Sequence, residues 1–80
     1  MAIVEGPADS ITSQERVAAF DAAAALHPGI RIVARCSGGY QREPARVAFA
    51  QLLAEQPQLD AVLAANDIMA IGVLDALQAA

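Results

Sequence analysis

The stretch Leu59–Leu77, LDAVLAANDIMAIGVLDAL, decides how this chain folds. It opens with an apolar run, Ala61 to Ala65, of the length of a buried strand. Asn66-Asp67 interrupts the run, and a second apolar stretch with helical spacing follows at once. A strand that becomes a helix across two polar residues is half of a βαβ unit. Asn and Asp at such a junction satisfy free helix N–H groups, and a carboxylate also suits the positive end of the helix dipole. Asp67 is therefore expected as the N-cap. That leaves the Asn66 amide facing outward with both a donor and an acceptor, a match for a hydroxyl on a small polar ligand. The plainer reading, that both residues merely cap, fits the spacing as well.

The same order occurs twice upstream. AIVEG, PADSITS and QERVAAFDAAAAL form a first unit; IRIVARC, SGGYQREP and ARVAFAQLLAEQ form a second. Strand-like runs begin near Ile3, Ile30 and Ala61. Thr12 to Glu15, TSQE, reads as a capping box, with the Thr12 hydroxyl taking an N–H and Glu15 reaching back. Val17, Phe20 and Ala24 share one helix face, and His27-Pro28-Gly29 ends the helix. Pro44 suits the first turn of the second helix. Ala45, Phe49, Leu52 and Gln56 trace its inner stripe, and Pro57 closes it. In the third helix Ala70, Val73 and Leu77 line up, with Ile71 and Leu74 widening the face. Strands alternating with helices predict an α/β fold with a parallel sheet. Crossover helices on opposite faces give the order 2-1-3, with the wholly apolar first strand at the centre. In such sheets ligands lie beyond the carboxyl ends of the strands. Here that edge is made by the loops after Val4, Arg35 and Ala65.

Bulk properties narrow the function. Eighty residues and 8.3 kDa make one small domain, 1–80, built on an aliphatic core, since aromatics are only 4%. The net charge is −4 and all five basic residues are Arg, so nucleic-acid binding has little electrostatic support. No apolar run approaches the ~20 residues of a membrane span, and the N-terminus lacks the pattern of a signal peptide. One Cys, Cys36, and one His, His27, make no disulfide and no metal cluster. Cys36 reads as a small filler, and Gly6-Pro7 does not make a dinucleotide fingerprint. No second His, nucleophile context or carboxylate pair converges on His27, so neither an enzyme nor a cofactor is expected.

AVLAANDIMAIGVLDAL resembles periplasmic sugar-binding proteins of the ribose-binding type, which serve ABC importers. Their C-terminal lobe carries an apolar strand, then Asn-Asp-x-Met-Ala-(Leu/Ile)-Gly, then an Ala/Leu helix. HPGIRIVARCSGGYQREPARVAFAQLLAEQPQLDAVLAAND resembles that family's second strand, aromatic-bearing loop and helix. EGPADSITSQERVAAF resembles its Gly-rich loop and first helix. The likeness covers essentially all 80 residues and corresponds to the first three βα units of the C-terminal lobe. It implies a periplasmic parent protein, a monosaccharide ligand and an ABC permease as partner. It also implies that Asn66 bonds sugar hydroxyls and that Tyr40 packs on the ring. Gln14 holds a position that often carries a ligand-binding Arg; an amide there lacks charge and bidentate reach. Arg16 is expected as a helix-borne ion-pair partner, and Arg42 with Glu43 as a solvated helix start. Sugar-responsive regulators of the LacI type share this lobe. A chain this short, with open sheet edges, also admits a self-associating fragment without ligand, a homo-oligomer through those edges.

Overall fold

The computed structural model describes residues 1–80. Its elements are β1 (Ala2–Glu5), α1 (Ile11–Ala25), β2 (Ala34–Ser37), α2 (Arg42–Glu55), β3 (Val62–Ala64) and α3 (Asp67–Ala79). The three strands form one parallel sheet in the order β2-β1-β3, as the unit pattern predicts. β1 is central, and Ala2, Ile3 and Val4 are all fully buried, which explains their unbroken apolar run.

Successive strand residues point to opposite faces. Ala2 and Val4 join Ala45, Phe49 and Leu52 of α2 and Met69, Val73 and Ala76 of α3 in one core, so α2 and α3 share a face. Ile3, between them, points to the other face. Its in-register neighbour on β2, Arg35, is bonded to Asp21 of α1, which places α1 over that face.

Three local expectations need correction. The second strand begins at Ala34, not near Ile30. Residues 30–33 instead skirt the chain start: Val33 N–H donates to Met1 O (2.9 Å) and the Met1 amine to Arg31 O (2.8 Å). β1 has only four residues, so nothing remains for them to ladder with. The helix α1 is capped by Ser10, whose Oγ accepts from Ser13 N–H, so the Thr12–Glu15 capping box does not form. The turn closed by Ser10 N–H to Pro7 O (3.0 Å) brings the chain into the helix two residues early and leaves Thr12 and Glu15 exposed.

The third correction concerns α3. Its buried residues are Met69, Gly72, Val73 and Ala76, whereas Ile68, Ile71, Leu74 and Leu77 are exposed. The helix is rotated because a close crossing outweighs side-chain bulk. A Cβ at Gly72 would lie 2.2 Å from Arg42 O and 3.0 Å from Arg46 N, so α2's backbone rests where that Cβ would be. Only glycine fits at that point of the crossing. Arg42 is also paired with Asp75, Nε to Oδ2 at 2.7 Å, which ties the helices across the crossing.

Candidate functional site

The carboxyl ends of the strands carry Gly6 to Ser10 after β1, Gly38 to Gln41 after β2, and Ala65-Asn66 after β3. Backbone bonds join them into one rim: Gly38 N–H donates to Glu5 O and Ala65 N–H to Val4 O, both at 2.9 Å. Ser37 Oγ–H adds a bond to Gly6 O at 3.1 Å. Tyr40 and Asn66 therefore stand on the same edge of the molecule.

Asn66, not Asp67, is the N-cap of α3. Its Oδ1 accepts from Met69 N–H at 2.9 Å, and its own backbone is extended, φ −149° and ψ 172°. Asp67 is the first helical residue and exposed, where its carboxylate still meets the positive dipole end. The outward-facing amide is thereby narrowed: the carbonyl oxygen is engaged in the cap, and the Nδ2 donors remain. A ligand atom that accepts a hydrogen bond matches these free donors.

Tyr40 is held in the left-handed region at φ 61°, directly after Gly39 at φ 60°. For a bulky residue that conformation costs about 1–3 kcal/mol and persists only where the surroundings impose it. Here the ring presses on Gly6, so closely that a Cβ there would sit 2.5 Å from Cε1. Ser10 Oγ is 3.5 Å from the phenol Oη. Tyr40 is half-buried against the core, so the ring is fixed and part of it is open at the rim.

Gln14 sits apart from this pair. Its Nε2 donates to Ala8 O at 2.8 Å, which folds it onto its own loop. With Glu5, Pro7, Ser13 and Asp21 it lines a shallow cleft of about 310 Å³ on the α1 side. Neither Tyr40 nor Asn66 lines that cleft. Arg16 departs from expectation, since it pairs with no carboxylate. Its Nη1 donates instead to Ala65 O at 2.7 Å, 49 residues away and next to Asn66. Sequence spacing could not reveal this, because the contact spans two elements. Arg42 and Glu43 also miss the rim; Arg42 is bound to Asp75 and Glu43 to Arg46. Cys36 is half-buried beside the core, and burial, with Glu5 adding, raises its thiol above the ordinary value, which disfavours the thiolate.

Backbone loops, a capping amide with unpartnered Nδ2 donors and a fixed aromatic ring thus share one rim. Known proteins resemble nearly all of this chain. A family profile described as "Periplasmic binding protein domain" matches residues 1–80. The chain belongs to the periplasmic binding protein family. A D-ribose/D-allose-binding protein of Pseudomonas aeruginosa is 39% identical over 79 residues, covering 98% of this chain and 24% of that protein. An ABC transporter periplasmic solute-binding protein of Actinobacillus succinogenes, solved with bound D-allose, superposes with a TM-score of 0.94 at 33% identity. That match covers 98% of this chain and 28% of the other. A LacI family transcriptional regulator of an Arthrobacter species, in complex with lactose, gives a TM-score of 0.73 at 30% identity, covering 98% and 28%. The chain thus spans about a quarter of the length of these relatives.

Proposed function

We propose that this periplasmic binding protein chain forms one side of a monosaccharide site, as the first three βα units of the C-terminal lobe in the receptor of an ABC sugar importer. Asn66 donates to a sugar oxygen, Tyr40 lies against the ring, and Gln14 guards the neighbouring loop. The parent protein works in the periplasm and delivers its sugar to an ABC permease. The observation that carries this reading is the state of Asn66: its oxygen is held by the cap, and its amide NH2 stands free at a rim shared with a strained, immobilised Tyr. The importer is favoured over the regulator by the closer superposition on the allose-bound receptor.

Asn66→Asp tests the assignment without breaking the fold. A carboxylate caps a helix as well as an amide does but supplies no N–H. Calorimetric titration with D-allose and D-ribose is expected to give binding by the unaltered chain and at least a roughly tenfold loss in the Asp variant, consistent with one polar bond. The melting temperature should hold. Flat titrations of the unaltered chain across a pentose and hexose panel would reject the sugar site for these 80 residues.

A second reading rests on a separate observation. Ile68, Ile71, Leu74 and Leu77 are exposed on the outer side of α3, and β3 is laddered on one edge only. Apolar surface of that extent beside an open strand edge favours self-association. Light scattering decides between the two: a sugar-binding monomer contradicts this reading, and a tight, ligand-free dimer favours it.

A further inference from the structure

The ladder between β1 and β3 stops one rung short, and the missing rung is at the rim. Ala2 N–H bonds Ala61 O, and Ala65 N–H bonds Val4 O. With Ala2 opposite Val62 and Val4 opposite Ala64, the next rung in this parallel register runs from Gly6 N–H to Ala65 O. That bond is not made. Gly6 N–H donates to Ser13 Oγ at 2.9 Å, a buried contact, and Ala65 O accepts from Arg16 Nη1 at 2.7 Å. Both side chains come from α1, three residues apart and so on the same face of the helix.

The position gives the substitution its meaning. After β1 the chain leaves for the α1 face of the sheet, and after β3 it leaves for the face that holds α2 and α3. Neighbouring strands that exit to opposite faces part at their carboxyl ends and open a crevice there. Ser13 and Arg16 bridge the gap with side chains where the backbones no longer meet.

We propose that Arg16 is a positioning residue for the binding rim: together with Ser13 it replaces the last β1–β3 rung, and so sets the separation of the two loops and the aim of Asn66. Ala65 is fixed at both ends, its N–H by Val4 and its carbonyl by Arg16. Asn66 follows directly, with its backbone carbonyl taken by Ala70 N–H at 3.1 Å and its Oδ1 by Met69 N–H. The Nδ2 donors are left without a partner, and their direction is set by how Ala65 is held. Electrostatics alone would not put a cation here. A guanidinium beside the N-terminus of α3 opposes the helix dipole, and Arg16 has no carboxylate to compensate it, whereas Arg35, Arg42 and Arg46 each have one. The side chain is placed for its bond to the carbonyl, not for charge.

This inference rests on the sugar-site reading for its ligand arm, so the test has two arms. In the ligand-free chain, amide hydrogen exchange is followed in Arg16→Ala and Arg16→Lys. The Ala variant should speed exchange at Met69 and Ala70 roughly tenfold, the size of a lost charge-assisted bond, and leave Val4 and Phe49 unchanged. The Lys variant, which can still donate to the carbonyl, should restore most of the protection. In the second arm, D-allose affinity should fall roughly tenfold in the Ala variant and recover in the Lys variant. Unchanged Met69 exchange, or a uniform rise across the chain, overturns the proposal, the latter because it marks a general stabiliser. If the unaltered chain binds no allose, the sugar reading fails, while the exchange arm still decides the role of Arg16.

Discussion

On one face of the sheet, Ala2 and Val4 meet a continuous apolar layer from α2 and α3, with Phe49 and Met69 fully buried at its centre. On the other, Ile3 and Val17 are the only large apolar side chains that are buried, and α1 is held mainly by polar reach. Ser13 grips Gly6, Arg16 grips Ala65, and Arg35 of β2 pairs with Asp21 and Glu5. The first face supplies burial, which is non-directional and scales with area. The second supplies directed bonds that add little net stability each but fix where loops stand. The rim lies where the two regimes meet: its aromatic rests on the core and its amide is aimed by the polar side.

The comparison breaks most readily at Phe49. Phe49→Ala should cost about 3–5 kcal/mol, and in so small a chain that is enough to unfold it. Val17→Ala on the opposite face should cost only about 1–1.5 kcal/mol, the transfer value of the lost methyls. Paired urea melts check the contrast, and equal losses would erase the distinction between the faces. Next comes the seam. Gly72→Ala drives a Cβ into Arg42 O and should cost about 1–3 kcal/mol, although alanine is the better helix former. A stabilised variant would show that α2 and α3 are not locked at that crossing.

The smallest effect is electrostatic. Arg42 holds the Asp75 carboxyl below its ordinary value, mainly through their hydrogen bond, and Arg46 does the same for Glu43. A carboxylate with a depressed folded pKa stabilises above its unfolded value, here 3.8 for Asp75, and that contribution is lost as pH falls through the folded value. Thermal melts between pH 5 and pH 2.5 should therefore show a slope that Asp75→Asn reduces. Both groups are solvent-exposed pairs, so the difference should be small and should shrink further in salt.

Much of the architecture was legible before any coordinate. The apolar β1 run announced a central strand, Pro57 and His27-Pro28-Gly29 closed their helices where read, and the expected stripe is buried at Ala45, Phe49 and Leu52 but not at Gln56, the exposed C-cap of α2. Local errors have two causes, a competing turn close by in the chain and a backbone contact from a distant element. Thr12 lost the cap to Ser10 because the Pro7–Ser10 turn starts the helix sooner. Leu77, Ile71 and Leu74 lost the inner face of α3 because α2's backbone lies where a Cβ at Gly72 would be and turns that side of the helix inward.

Period and polarity along the chain, set by backbone geometry alone, determined the three βα units, their parallel order and the edge that could hold a ligand. The tertiary structure alone decided which group at that edge is free. Asn66 has its amide NH2 free because its oxygen caps α3, Tyr40 is immobilised because Gly6 leaves room for its ring, and Arg16 reaches Ala65 because two strands diverge. The cap is a local contact, but the last two join residues distant in sequence, and the relative placement of packed elements fixes these where local propensity cannot.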